Sequence, residues 1–269
     1  VEPPYAVTRS GIISEILRLS RRSDVMPLGA AVPSSEFLPL RALHQQMSKV
    51  TRFNSKKAYS YIFSPGYEPL RRQIAIRMRD AGAVVEPSQI VITNGCVEAL
   101  QLCLRALTSP GDLIASESPS YYGLVQLCQL LGLKVIEIPT DPETGLSLES
   151  LEKAAEKWPI KALVVTTRAG NPMGATMSEA RQRKLVGMMA QRNIPIVEDD
   201  IYGELMFEPG RSKALKFQLL QDHLARAAHR LGDCRQASGH DREVADLHHA
   251  VCLQCQPDGG GGLPGERRL

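Results

Sequence analysis

Four polar clusters punctuate the middle of the chain: Thr93-Asn94-Gly95, Glu117-Ser118-Pro119-Ser120-Tyr121, Gly170-Asn171-Pro172 and Asp199-Asp200. Their residue types can do definite chemistry. Gly95-Cys96-Val97 can open a helix, whose first N–H groups are unpaired and whose dipole favours an anion such as phosphate. A carboxylate such as Asp199, placed at a strand end and taken out of water, can stabilise a cation beside it. Tyr121 and Tyr202 bring aromatic faces and hydroxyls, and Asn171 an amide. Each cluster taken singly also reads as plain turn chemistry. Asp199 could be the N-cap of a following helix, a role that suits Asp200 better. Tyr202 could be a core aromatic with its hydroxyl at the surface.

The elements between the clusters give the reason to read them together. Gln89–Thr93 is a short β-branched run, and Val97–Leu104 follows with apolar residues at helical spacing. Asp112–Ala115, Lys134–Ile138, Lys161–Thr166 and Pro195–Asp199 have the character of strands. Leu124–Leu131, Ser147–Trp158 and Ser178–Gln191 have that of helices, with Gly132 suited to the end of the first and Ser147 to the N-cap of the second. Alternation of this kind implies βαβ units and a mostly parallel sheet covered on both faces. Ligands of such sheets bind beyond the carboxyl ends of the strands, where the four clusters fall.

Composition narrows the class. The 269 residues suffice for one large domain or two small ones, 43% are hydrophobic and 23% charged. A net charge of +3 is too small to argue for nucleic acid or an anionic membrane. No apolar run approaches the roughly 18 residues needed to span a bilayer, and the start at Val1 has no signal-peptide pattern. Cys96, Cys103 and Cys128 sit in apolar surroundings and read as reduced thiols of a cytoplasmic protein.

Five motifs then carry a resemblance. Tyr59-Ser60-Tyr61 leads to Gly66 and Leu70-Arg71. Ile92–Leu100 contains the Gly95 turn. Glu117–Tyr121 has the form E-x-P-x-Y, Asn171–Gly174 the form N-P-x-G, and Asp199–Tyr202 the form D-x-x-Y. Each is weak alone. In this order and spacing they resemble the pyridoxal-phosphate-dependent aminotransferases of class I and II, fold type I, over about residues 10–216. Gly29–Pro33, Leu38-Pro39 and Ile138–Pro142 are similar in particular to the aminotransferase-like domain of MocR-type regulators of the GntR family. No winged helix, which precedes that domain in such regulators, is legible here.

The resemblance implies an incomplete fold-type-I large domain, a three-layer α/β/α arrangement around a mostly parallel sheet. It divides the chain into an N-terminal arm and part of a small domain (1–58), a pyridoxal-phosphate-binding part (59–216) and a tail (217–269). It implies pyridoxal 5′-phosphate as cofactor. Gly95, Cys96 and Val97 would offer N–H groups to its phosphate, Cys96 through its N–H and not its thiol. Tyr121 would stack on the ring while Tyr122 packs elsewhere. Asn171 and Tyr202 would donate to the phenolic oxygen, and Asp199 would keep the ring nitrogen protonated. Tyr61 would reach the phosphate of a second subunit in a homodimer. Gly29 would lie near the substrate carboxylate, though it could equally be a loop glycine. The implied reaction is amino-group transfer between an amino acid and a 2-oxo acid. The alternative is an effector-sensing domain of a transcriptional regulator.

One part is missing. The family's Schiff-base lysine lies in an S-x-x-K segment one strand after the aspartate, and none is legible; Lys213 follows Asp199 too closely and reads as a surface charge. No catalytic lysine is therefore assigned, and an inactive or impaired product is expected. From Gln218 to Leu269 there is no Lys, Ile, Met, Thr, Tyr, Trp or Asn, and no strand signal. With permissible codons, a one-base shift near Lys216 or Phe217 turns Gln218–Gly232 into a serine–lysine segment followed by L-R-I-G-W, and Gln256–Leu269 into another family-like stretch. The tail is accordingly expected to be out of frame and disordered. Cys252 and Cys255 with His248 and His249 resemble a metal site by composition, but no second cysteine pair stands at suitable spacing, and no metal is expected.

Overall fold

The computed structural model describes residues 5–6, 12–20, 22, 24–26, 35–205, 215 and 250–251. Gly29, Lys213, the family-like stretches of the tail and the Cys252–Cys255 cluster lie outside the described residues. The chain divides into two compact units. The smaller one falls within Thr8–Ile62 and contains helices α1 (Ile12–Leu19), α2 (Leu40–Phe53) and α3 (Ser55–Ala58). No residue of α2 is buried.

The larger unit takes the two-residue strand β1 (Tyr5–Ala6) and the described residues from Phe63 onward. It begins with α4 (Glu68–Asp80), a 3-10 turn at Pro87–Gln89 and β2 (Val91–Ile92). Alternating helices and strands follow: α5 (Cys96–Leu107), β3 (Leu113–Ser118), α6 (Tyr122–Leu130), β4 (Lys134–Asp141), the short β5 (Gly145–Leu146), α7 (Leu148–Lys157), β6 (Ile160–Val165), α8 (Glu179–Gln191) and β7 (Ile196–Glu198). The main sheet has the order β1-β4-β3-β6-β7. The pairs β3·β4, β3·β6 and β6·β7 are parallel, and β1 adds to β4 antiparallel.

Side-chain alternation along these strands sorts the core into two layers. Ala115, Ile136, Ile138, Leu163 and Val165 face one side and pack with Leu151, Leu185 and Met189 of α7 and α8. Ile114, Val135, Ala162, Val164 and Val197 face the other and pack with Leu100, Leu104, Leu124 and Leu127 of α5 and α6. A three-layer α/β/α arrangement with a mostly parallel sheet results, as the strand–helix alternation implies. Each fully buried Leu or Ile contributes about 2 kcal/mol relative to exposure. The helix starts follow local chemistry: Ser147 accepts from the Ser150 N–H at 3.2 Å, and Ser178 from that of Arg181 at 3.5 Å.

Two expectations about strands need correction. The run at Gln89–Thr93 yields only β2, because Pro87 and the reciprocal Glu86–Gln89 caps wind its start into a 3-10 turn. β2 lies outside the main sheet. It pairs antiparallel with a strand at Ala250–Val251 (β8), in a region without strand signal in the sequence. A β-branched residue beside alanine suffices for so short a pairing.

Candidate functional site

Because β3, β6 and β7 run parallel, their carboxyl ends share one edge. Tyr121 follows β3, Asn171 follows β6 and Asp199 follows β7. The ladder continues one residue past β7, since the Asp199 N–H donates to Val165 O at 3.0 Å. That bond fixes the height and the face at which the Asp199 carboxylate emerges.

Gly95 precedes α5 with φ = +99°, a conformation that a Cβ disfavours. It lets the chain turn sharply so that Cys96 and Val97 begin the helix with unpaired N–H groups. The Asn94 N–H is taken by the Glu98 carboxylate one turn on. The Cys96 thiol donates to Asp199 Oδ1 at 3.3 Å, and the Ile201 N–H donates to the same oxygen at 3.2 Å. The Cys96 side chain thus points at the strand end, a contact that the helix-start reading of its N–H did not include. Burial and the neighbouring Asp199 push the Cys96 thiol far up, so it is a neutral donor here.

Asp199 is itself largely removed from water, and this desolvation raises its pKa, against the lowering effect of the Cys96 and Ile201 hydrogen bonds. Among the described residues no Lys, Arg or His lies within ion-pairing distance of it. Asn171 Nδ2 and Tyr202 Oη are 3.3 Å apart, which sets an amide donor and a phenol side by side. Burial raises the Tyr121 pKa, and the neighbouring Tyr122, Tyr202 and Cys96 add to the rise in that order. The Tyr122 ring meets that of Tyr121 at 4.7 Å between centroids, tilted by 53°. Gly123 makes this possible, since a Cβ there would strike the Tyr121 ring.

The edge thus brings together Gly95, Cys96, Tyr121, Asn171, Asp199 and Tyr202. Val97, the other predicted phosphate-turn residue, is half exposed in the first turn of α5. Tyr61 belongs to the smaller unit and is 88% exposed. Arg71 of the Leu70-Arg71 motif is structural: it donates to Gly66 O at 3.1 Å and Pro87 O at 2.6 Å, tying the start of α4 to the turn before β2.

Sequence reasoning passed over Arg168. Its side chain is fully buried, within 2.5 Å of Asp200 and 3.6 Å of Glu198. Asp200 is therefore an ion-pair partner rather than a helix cap, and residues 201–204 form turns instead of a helix. Glu198 also accepts from the Thr167 hydroxyl and from the Leu215 N–H. Glu117, the acid of the E-x-P-x-Y motif, accepts from the Thr166 N–H at 2.8 Å, and burial pushes it up to about 7. No group of three or more metal-ligating side chains occurs among the described residues. No helix among them is long and apolar enough to cross a membrane.

Comparison with known proteins adds three kinds of relative. The family model for aminotransferase class I and II matches residues 23–229. An uncharacterized HTH-type transcriptional regulator of Escherichia coli, YjiR, is 40% identical over 80% of this chain and 46% of its own length. Aromatic-amino-acid aminotransferase 1 of Thermococcus litoralis is 32% identical over 76% of this chain and 50% of its own. Among solved structures, the α-aminoadipate aminotransferase LysN of Thermus thermophilus, complexed with N-(5′-phosphopyridoxyl)-L-leucine, superposes with a TM-score of 0.70 at 27% identity. It covers 81% of this chain and 52% of that one. The chain spans about half the length of the curated relatives it matches.

Proposed function

The chain belongs to the class I and II aminotransferase family, and from that premise we propose that the strand edge around Asp199 is its site for pyridoxal 5′-phosphate, the cofactor of the family. The observation that carries the reading is Asp199: a desolvated carboxylate with no cationic side chain beside it among the described residues. A group that fits there must bring its own positive charge, and a protonated pyridine nitrogen does. When bound, the cofactor supplies an electron sink for bonds at the α-carbon of an amino acid.

The chain's own residues then have separate tasks. Asp199 holds the proton on the ring nitrogen. The N–H groups of Cys96 and Val97, at the start of α5, take the phosphate dianion. Tyr121 covers a ring face and excludes water from it. Asn171 and Tyr202, already paired at 3.3 Å, donate to the phenolic oxygen and favour its anionic form. By the family resemblance Gly29 would serve the carboxylate of the amino acid, and Tyr61 would serve the phosphate of a second subunit in a symmetric, cytoplasmic dimer.

The ancestral reaction is amino-group transfer between an amino acid and a 2-oxo acid. Lys213 and Lys216 are the only lysines after Asp199 in this chain, and neither stands in an S-x-x-K segment. The chain therefore binds cofactor without anchoring it covalently, and turnover is crippled. Borohydride reduction of the protein with pyridoxal phosphate, followed by peptide mapping, tests this together with an assay of transfer from amino acids to 2-oxoglutarate. Reversible binding with no modified lysine and no transfer is expected. A reduced cofactor on a specific lysine, with transfer, overturns it.

The 40% identity to YjiR favours a second reading, in which this is the effector domain of a regulator. The intact gene product would then change its affinity for DNA when pyridoxal phosphate or an amino acid is added.

A further inference from the structure

The end of β7 carries three acids in a row, Glu198, Asp199 and Asp200, and only one of them faces the proposed cofactor. We propose that Arg168 is a positioning residue for Asp199: it draws the two flanking carboxylates to the opposite side of the strand end and so leaves Asp199 as the acid presented to the ring nitrogen. This inference rests on the pyridoxal-phosphate reading of the site.

Three observations carry it. The first is the alternation of an extended chain, which sends residues 198 and 200 to one face and 199 to the other. The strand pairing extends through Asp199, whose N–H bonds Val165 O, so the alternation holds where it matters. The second is the guanidinium. Arg168 comes from the loop after β6, is fully buried, and lies 2.5 Å from Asp200 and 3.6 Å from Glu198, with no ion pair to Asp199. Like charges this close in a poorly hydrated place cannot all stay ionised unless a fixed cation compensates some of them. The third is Gly203. A Cβ there would sit 2.1 Å from Asp200 Oδ1, so the absence of a side chain at 203 is what lets the Asp200 carboxylate fold back onto Arg168.

The neighbours of the cluster agree with this division. Glu198 has further donors of its own, the Thr167 hydroxyl and the Leu215 N–H at 2.9 Å, which hold it on the Arg168 side. Asp199 takes donors from the other side, the Cys96 thiol and the Ile201 N–H, and both go to Oδ1. Its second oxygen, Oδ2, accepts no hydrogen bond from a described residue and is the one left for a ring N–H. Glu117, the remaining acid of this edge, is bonded to the Thr166 N–H. Arg168 does not touch the cofactor; it acts through the two acids that flank Asp199.

The test uses the full chain and pyridoxal phosphate labelled with ¹⁵N in the ring. Binding and the ring-nitrogen chemical shift are followed against pH for the wild type, Arg168→Met, Gly203→Ala, and the double variants Arg168→Met/Asp200→Asn and Arg168→Met/Asp199→Asn. The wild type should keep the ring nitrogen protonated to higher pH than free cofactor. Arg168→Met should weaken binding about tenfold or more, as expected when desolvated carboxylates lose a fixed guanidinium, and lose the protonated signal. Gly203→Ala, which keeps every charge but dislodges Asp200, should lower the pH at which the ring nitrogen loses its proton. Asp200→Asn should restore the melting temperature and the ring-nitrogen signal to Arg168→Met, whereas Asp199→Asn should restore neither. A wild-type ring-nitrogen profile in Arg168→Met or Gly203→Ala overturns the proposal. Equal rescue of the melt by Asp199→Asn also overturns it, because Arg168 would then be only a general counter-charge. If the wild type binds no pyridoxal phosphate, the cofactor reading fails first and this inference with it.

Discussion

Asp141 and Asp199 both end parallel strands of the same sheet, yet they are opposite kinds of acid. Asp141, at the end of β4, is fully exposed and accepts from the Glu143 N–H at 2.9 Å, the Thr144 N–H at 2.8 Å and the Thr144 hydroxyl at 3.1 Å. Those three donors hold its pKa below the usual carboxylate range. Asp199, at the end of β7, has lost most of its water and gained one backbone donor and a thiol, and its pKa is raised. One aspartate is fully served by its own turn, as an Asx turn does. The other is held ready for something the protein does not itself supply. A strand-end aspartate is thus a site candidate only when its local backbone fails to satisfy it.

The largest effect expected from this contrast is on cofactor binding. Asp199→Asn should weaken pyridoxal phosphate by about two orders of magnitude, the scale of losing one partner of a desolvated charge pair. Asp141→Asn should leave it unchanged. Fluorescence titration of both variants checks this, and equal losses would erase the distinction between the two strand ends.

Next in size is the brace behind Asp199. Arg168→Met removes the buried guanidinium beside Glu198 and Asp200 and should destabilise the fold by about 3–5 kcal/mol, read by urea unfolding at neutral pH. Arg181 is the half-buried counterpart on the Asp141 side, bonded to Thr144 O and Leu146 O. Its replacement by Met should cost about 1 kcal/mol. Similar costs for the two arginines would contradict the burial argument.

A smaller effect separates the edges by pH. Glu117 is raised by burial from 4.5 to about 7. Between those values the folded state keeps a proton that the unfolded chain has released, so this group's contribution to stability is present below pH 4.5 and is lost as pH rises through 7. Asp141, with a lowered pKa, contributes in the other sense: its stabilisation is present above the unfolded value and is lost as the medium becomes more acid. Glu117→Gln should flatten the loss of stability between pH 5 and 7, measured by thermal melts across that range, while Asp141→Asn should leave it as it is. The smallest change expected is from Tyr202→Phe, which removes one donor of the Asn171–Tyr202 pair and should weaken cofactor binding by about fivefold, the value of a single neutral hydrogen bond.

What could be read in the sequence was what is local. The Ser147 cap, the strand–helix alternation and the Gly95 turn each depend on residues a few positions apart. The motif residues after β3, β6 and β7 follow one another along the sheet edge in chain order, whereas the Gly95 turn, first in the chain, meets the edge at Asp199. Arg168 was not legible: an arginine in a Gly/Asn/Pro loop reads as a solvated charge, and only the fold brings Glu198 and Asp200 to it. The role of Cys96 was half legible, since helix-start geometry speaks for its N–H but says nothing of a thiol that meets an aspartate across the sheet edge. β2 misled because five β-branched and polar residues look the same whether or not a neighbouring strand lies beside them; here the partner is Ala250–Val251.

The central claim is that Asp199 marks a pyridoxal-phosphate site on this chain. Equilibrium titration of the cofactor onto the wild type beside Asp199→Asn, both shown to be folded by their melting curves, tests it most directly. Saturable binding by the wild type that is lost in the variant is the result this account predicts. Indistinguishable isotherms from two folded proteins would contradict it.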